Sequence, residues 1–86
     1  MKKKAVALKY RQKKDKAPRL TAKGQNSVAE RIITLAKETR VPVYEDPGLT
    51  NALYPLQLGE YIPEEFYEVA ATILAWVYSL DKKEAR

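Results

Sequence analysis

Cysteine and histidine are both absent from the 86 residues. Without cysteine the chain has no disulfide framework, thiol nucleophile or thiolate metal site. Without histidine it lacks the most common general base and the most common metal ligand. The three glycines, Gly24, Gly48 and Gly59, are too far apart to form a phosphate-binding loop. We therefore expect no enzyme activity, no metal and no cofactor.

Long apolar runs are also absent. The longest one, Ile73 to Tyr78, is far shorter than the roughly 20 residues that span a bilayer. The basic N-terminus is not followed by the apolar stretch of a signal peptide. Hydrophobic residues make up 45% of the chain, which is typical of a globular protein. We expect one cytoplasmic domain over residues 1–86, with a basic tail at 1–4 and a frayed end at 81–86.

The net charge of +5 is unevenly distributed. Residues 1–23 contain ten basic side chains and a single acid, Asp15, whereas the rest of the chain is net acidic. Such polarity is typical of proteins that bind an acidic partner, a nucleic acid or an anionic surface. A simpler interpretation is that these lysines only solvate a strand end and a loop. Tyr10 is the sole aromatic residue in the basic segment, so nucleic-acid binding is the weaker alternative.

The first half of the chain predicts strands around one helix. Apolar runs at Ala5–Tyr10, Arg19–Lys23 and Val41–Glu45 have the length and bounding residues of strands. Between the last two, Ser27 to Glu30 resembles a capping box, with Asn26 as a rival cap, and Val28, Ile32, Leu35 and Ala36 recur at helical spacing. Strand, helix and strand from Leu20 to Tyr44 predict a parallel βαβ unit.

The second half predicts two helices. Asp46 and Pro47 are a cap and a first-turn proline for a short helix over Gly48–Tyr54. Pro63 opens a long helix that runs to about Lys82. That helix has one apolar stripe at Phe66, Val69, Ala70, Ile73, Val77 and Leu80, and a second at Tyr67, Ala71, Leu74 and Tyr78. Either both stripes are core, or one belongs to a docking surface. The predicted fold is a small α/β domain, with a mixed sheet of about three strands packed by three to four helices.

Short blocks in a fixed order give the chain a family resemblance. They are Ala5–Tyr10, Ala17–Arg19, Ala22–Gly24, Val41–Val43, Glu45–Pro47, Ala52–Tyr54, Leu58–Gly59, Ile62–Pro63 and Leu74–Tyr78. Their order and spacing over residues 5–80 closely resemble the C-terminal cytoplasmic domain of the FlhB family of export-switch proteins, which act in flagellar and virulence type III secretion.

One part of the family pattern is missing. The family carries an Asn-Pro-Thr-His tetrapeptide before the first strand, and its asparagine cleaves the chain. Here Met1, Lys2 and Lys3 stand where Pro, Thr and His would be. We therefore expect no self-cleavage, and a stand-alone FlhB-like protein that begins in the already-cleaved state.

The resemblance implies a non-enzymatic role in flagellar type III export. The domain would stand in for the cleaved FlhB C-terminal domain in substrate recognition and specificity switching, at the membrane export apparatus. It implies a pocket for rod- and hook-type export substrates at Ala17, Pro18, Ala71 and Leu74. It also implies a sheet that lacks one strand, so an FlhB-type membrane protein would add a strand along Ala5, Val6, Ala7, Leu8, Lys9 and Tyr10. The alternatives are a nucleic-acid-binding protein, a regulator that competes with the membrane-bound switch, and, for Ala17–Pro18, a turn without a binding role.

Overall fold

A computed structural model describes residues 3–84 of the chain, with side chains to residue 80. The elements are strands β1 (Lys4–Lys9) and β2 (Arg19–Gln25), helices α1 (Ser27–Glu38) and α2 (Pro47–Leu53), a 3₁₀ turn (Glu64–Phe66) and helix α3 (Tyr67–Glu84). Residues 1–2 of the expected basic tail and residues 85–86 of the expected frayed end lie outside the described range. Within that range no helix is long and apolar enough to cross a membrane.

The sheet is an antiparallel hairpin of β1 and β2. Ala5 lies opposite Gly24, Ala7 opposite Ala22 and Leu8 opposite Leu20. A bulge falls between Ala7 and Leu8, so that Thr21 has no partner residue in β1 and donates its hydroxyl hydrogen bond to the carbonyl of Ala7 at 3.2 Å. The bulge brings Leu8 and Leu20 together on one face, where Leu20 is fully buried.

Small residues on the other face allow α1 to approach closely. Helix α1 contacts both strands, and Val28 in its first turn lies directly over Gly24. Ala29, in the same turn of α1, is fully buried. Side chains alternate across a sheet, so Val6 and Leu8 lie on the face opposite to Ala5 and Gly24, where they pack against the main core cluster. The hairpin therefore separates α1 from that cluster, whose members are Ala17, Leu53, Ile62 and Ala70.

Gly24→Ala is expected to destabilise the domain by about 1–3 kcal/mol, the usual effect of overpacking. A methyl group at Gly24 would lie 2.8 Å from Val28 Cβ and closer still to Cγ1, so α1 would have to shift. Gly48→Ala is the matched control, because a methyl group there meets only Asp46 Oδ1 at 3.6 Å and replaces a helical glycine. That variant should gain roughly 0.5–1 kcal/mol. Chemical denaturation of both variants tests the packing, and equal stabilities would contradict it.

The start of α1 differs from the sequence prediction. Asn26 is the N-cap, in a left-handed conformation with φ of 54°, and no side chain caps the helix. The predicted capping box is therefore absent, because Asn26 donates its amide to the carbonyl of Lys3 and the chain turns into the helix within one residue. The predicted apolar stripe is also only partly correct. Val28 and Leu35 are 50% and 60% exposed, since the alanine-and-glycine face of the sheet is too small to cover them.

The prediction of a third strand at Val41–Glu45 and a parallel βαβ unit is not confirmed. In the described residues the sheet has two antiparallel strands, and 41–45 is in neither. After α1 the chain turns at Arg40, whose φ is 61°, and the amide of Val41 returns to the carbonyl of Ala36 at 2.7 Å. The segment then lies against α3, where Tyr44 and Trp76 pack edge to face with ring centroids 5.5 Å apart. The tertiary contact with Trp76 replaces the strand pairing that the β-branched residues predicted.

A different segment pairs with the start of β2. The amide of Leu20 donates to the carbonyl of Glu60 at 2.9 Å, and the amide of Ile62 donates to the carbonyl of Pro18 at 2.9 Å. Tyr61 forms an isolated antiparallel bridge with Arg19. Gly59 has a positive φ of 86°, which favours glycine, and the amide of Gly59 donates to the carbonyl of Leu20. The turn-rich connection thus covers the start of the outer edge of β2.

The later helices agree with the sequence. Asp46 caps α2 by accepting the amide hydrogen bond of Leu49 at 3.1 Å, and Pro47 is its first residue. The 3₁₀ turn carries Glu64 and Glu65 and leads directly into α3. A short helix after Asp46 and a long one after Pro63 are therefore confirmed.

Candidate functional site: a pocket between the basic loop and helix α3

A surface pocket of about 190 Å³ lies between the loop after β1 and the first half of α3. We call residues 10–18 the basic loop. The pocket is lined by Tyr10, Lys16, Ala17, Pro18, Tyr67, Ala70, Ala71 and Leu74. Seven of these eight residues carry no formal charge, and the exception is Lys16. A concave, mainly apolar site with one charged group is the usual form of a ligand pocket.

The floor of the pocket is well packed, whereas its rim is accessible. Ala17 and Ala70 are 2% and 7% exposed, and both belong to the main core cluster. Ala71 is exposed on α3, and Tyr67 is 39% exposed. A ligand side chain that entered the pocket would therefore contact the core directly without displacing it.

The carboxylate of Asp15 fixes the basic loop. Its side chain is fully buried, although its neighbours in the chain, residues 11–14 and 16, are exposed and polar. It accepts hydrogen bonds from the Arg11 amide at 2.9 Å, from Arg11 Nε at 3.2 Å and from Arg19 Nη2 at 2.9 Å. Two arginines from either end of the loop thus converge on one acid, two residues before Ala17.

These contacts also change the acidity of Asp15. The side-chain hydrogen bond from Arg11 lowers the pKa of Asp15 from 3.8 to about 2, with smaller contributions from the Arg11 backbone amide and the charges of Arg11 and Arg19. Burial acts in the opposite direction but does not prevail. The carboxylate is therefore charged at physiological pH, and its hydrogen bonds to Arg11 and Arg19 fix the conformation of the basic loop.

Tyr61 contacts two basic residues near the C-terminal end of the basic loop, Lys16 and Arg19. Arg19 Nη2 donates to the Tyr61 hydroxyl at 2.8 Å, and the Arg19 guanidinium lies 4.8 Å from the ring centroid. Lys16 Nζ lies 5.1 Å from the same centroid. Cations at such distances from an aromatic ring are held by its electron-rich face. The one charged residue of the pocket is thus placed by an aromatic contact.

The two apolar stripes of α3 have different roles. Every member of the stripe that starts at Phe66 is buried or half-buried. In the other stripe, Tyr67, Ala71 and Leu74 line the pocket, and Tyr78 is 66% exposed. Three of the four residues of the second stripe therefore form part of the pocket wall.

All four residues that the resemblance assigned to a substrate pocket lie in this one pocket: Ala17, Pro18, Ala71 and Leu74. Their role in substrate binding remains a prediction. Sequence reasoning missed Tyr10, Lys16, Tyr67 and Ala70 as further lining residues, and Asp15 as the residue that positions the loop. A lone acid within a strongly basic segment was the available signal for Asp15.

The predicted docking strand, Ala5 to Tyr10, lies at the edge of the hairpin. Within residues 3–84, β1 pairs with β2 alone, so its other edge has no backbone partner there. Tyr10 falls just after β1 and faces the pocket instead.

Comparison with known proteins identifies the family. Residues 2–77 match the model of the FlhB HrpN YscU SpaS family. The chain belongs to this family. As an FlhB-family chain it is 46% identical over 79 residues to the uncharacterized protein YlqH of Bacillus subtilis, covering 92% of this chain and 85% of YlqH. It is 42% identical over 80 residues to the flagellar biosynthetic protein FlhB of Aquifex aeolicus, covering 92% of this chain and 23% of that protein.

The FlhB-family chain also resembles solved domains. It superposes on the C-terminal domain of the EscU H265A mutant with a TM-score of 0.82 and 32% identity, covering 87% of this chain and 92% of that one. For the PscU C-terminal domain the TM-score is 0.81 at 28% identity, covering 87% and 96%. The chain spans about a fifth of the length of the FlhB proteins it matches, and almost the whole of these C-terminal domains.

Proposed function

We propose that this FlhB-family domain is a non-enzymatic recognition module of flagellar type III export, which binds an apolar side chain of rod- or hook-type substrates in its pocket. It would act in the cytoplasm at the export apparatus, in the place of the cleaved C-terminal domain of FlhB. The observation that carries the proposal is the convergence of Ala17, Pro18, Ala71 and Leu74 on one pocket.

The chemistry of the pocket supports a peptide ligand. Alanine and proline at the floor and Leu74 in the wall offer apolar contacts, and Tyr10 and Tyr67 add aromatic ones. Burying one aliphatic or aromatic side chain in such a site contributes about 1.5–3 kcal/mol. Millimolar affinity corresponds to about 4 kcal/mol, so the flanking residues of the substrate must add to the contribution of the inserted side chain. The binding remains weak and reversible, which suits a site that must release its substrate to the export channel.

The test is an NMR titration of the labelled 86-residue chain with a purified rod- or hook-type export substrate of the same organism. We expect the largest shifts at the methyl groups of Ala17, Ala71 and Leu74. Ala29, which is fully buried in α1 on the far side of the sheet, is the internal control and should not shift. Shifts spread evenly over the domain, or none at millimolar concentration, would refute the proposal.

We further propose that β1 receives a strand from an FlhB-type membrane protein. The start of the outer edge of β2 is occupied by Gly59–Ile62, whereas β1 has no backbone partner along its other edge within the described residues. An unpaired edge next to half-buried Val6, Ala7 and Leu8 favours addition of a strand by main-chain hydrogen bonds. Lys3 and Lys4 near the start of the edge disfavour pairing with a second copy, because like charges would meet.

The strand is tested with a peptide of the segment that precedes the Asn-Pro-Thr-His tetrapeptide in an FlhB protein of the same organism. Amide shifts along Ala5–Lys9 are expected, and smaller ones along Arg19–Lys23, which would meet the added strand only through β1. The matched control is the same peptide with alternate amides methylated, which cannot donate to β1 and should not bind. Equal effects of the two peptides would exclude strand addition.

A further inference from the structure

The charge beside the pocket points to a more specific ligand. We propose that the bound substrate segment carries a carboxylate next to its inserted apolar side chain, and that this carboxylate pairs with Lys16. The inference rests on the proposed function and adds the chemistry of the ligand to it.

Lys16 is the one charged residue that lines the pocket. Its ammonium is held 5.1 Å from the Tyr61 ring centroid, which limits where it can point. The ion pairs among the described residues join Arg11 and Arg19 to Asp15, and Lys16 is in neither. Because Asp15 is buried and already shared by two arginines, it has no exposed oxygen to offer Lys16. The lysine therefore keeps its charge available for a ligand.

The surroundings of Lys16 add to this charge. Lys9, Arg11, Lys13 and Lys14 are exposed on or beside the basic loop, and the only acid within it is Asp15. The acids at the start of α3, Glu64, Glu65 and Glu68, do not line the pocket. An acidic peptide is thus attracted to this rim. The apolar floor favours a peptide over a nucleic acid, since neutral alanine and leucine side chains contribute nothing to phosphate binding.

The proposal is tested with three capped twelve-residue peptides of glycine and serine around one central phenylalanine. The residue after the phenylalanine is aspartate, asparagine or lysine. Methyl shifts of Ala71 and Leu74 in the labelled chain report binding. In low salt we expect the aspartate peptide to bind about two- to fivefold more tightly than the asparagine peptide, the usual strength of an exposed ion pair, and the lysine peptide to bind most weakly. The preference should shrink in 0.5 M salt.

Three variants assign the preference to one residue. Lys16→Gln should remove the difference in affinity between the aspartate and asparagine peptides, and Lys16→Arg should keep that difference. Lys37→Gln is the matched control, because Lys37 is exposed on α1, away from the basic loop, and does not line the pocket. The difference should persist in this variant. Equal affinities for the aspartate and asparagine peptides, or a preference that survives Lys16→Gln, would overturn this inference and leave the proposed function intact. Absence of pocket shifts with every peptide and with the export substrate would overturn both.

Discussion

Ala71→Glu is expected to abolish binding of export substrates while the domain stays folded. Ala71 is exposed on α3 at the rim of the pocket, so a longer side chain there projects into the space that the ligand needs. The new carboxylate would also lie near Lys16, the charged residue of the pocket, and would compete with the ligand for that lysine. The affinity should fall at least about tenfold, because an apolar ligand would have to displace or desolvate a charge. The measurement is the same NMR titration, or calorimetry where heats permit.

The fold should tolerate this change. Glutamate is nearly as good a helix former as alanine, and position 71 is not part of the core. The circular dichroism spectrum is therefore expected to be unchanged. Ala52→Glu is the matched control: it makes the same substitution and charge change at an exposed alanine of α2, outside the pocket. Substrate binding that survives Ala71→Glu, or is lost equally in Ala52→Glu, would remove the pocket from the proposal.

Local signals in the sequence predicted the individual helices better than they predicted which segments pair as strands. The cap at Asp46, the proline at 47 and the proline at 63 act within one turn of helix, so they fixed α2 and α3 correctly. The strand at 41–45 was wrong because Tyr44 packs against Trp76 of α3, while Val41 and Val43 remain exposed and pair with no strand among the described residues. Parallel or antiparallel pairing depends on where distant segments meet, and here a loop of nine residues lets β1 and β2 fold back on each other.

The pocket was predictable only in part, for a related reason. The second apolar stripe of α3 left open whether Ala71 and Leu74 face the core or a docking surface, and the family resemblance assigned them to a pocket with Ala17 and Pro18. The lone acid among lysines was a signal for Asp15, but the sequence could not show whether that acid is solvated or buried. Only the fold brings Arg11 and Arg19 to the same carboxylate.

Asp15→Asn is expected to loosen the basic loop and destabilise the domain at neutral pH. Asparagine has nearly the shape of aspartate but no charge, so Arg11 and Arg19 would lose their shared partner. Since Asp15 holds the loop two residues before Ala17, the variant should also weaken substrate binding, although Asp15 does not line the pocket. Thermal unfolding and the pocket titration measure the two effects. Glu45→Gln, which neutralises an exposed acid in the segment between α1 and α2, is the control and should change neither.

The same carboxylate predicts how stability depends on pH. The pKa of Asp15 is lower in the folded state than its ordinary value of 3.8, so its contribution is complete above about pH 4 and is lost as the pH falls through about 2. The stability of the wild-type chain should therefore decline over this window, and Asp15→Asn should decline less steeply there. The difference in stability between the wild type and Asp15→Asn narrows as the pH falls. Protonation neutralises Asp15 in the wild type, whereas the substitution removes the charge at every pH. A gap that stayed constant from pH 7 to pH 2 would mean that the charge of Asp15 does not hold the loop.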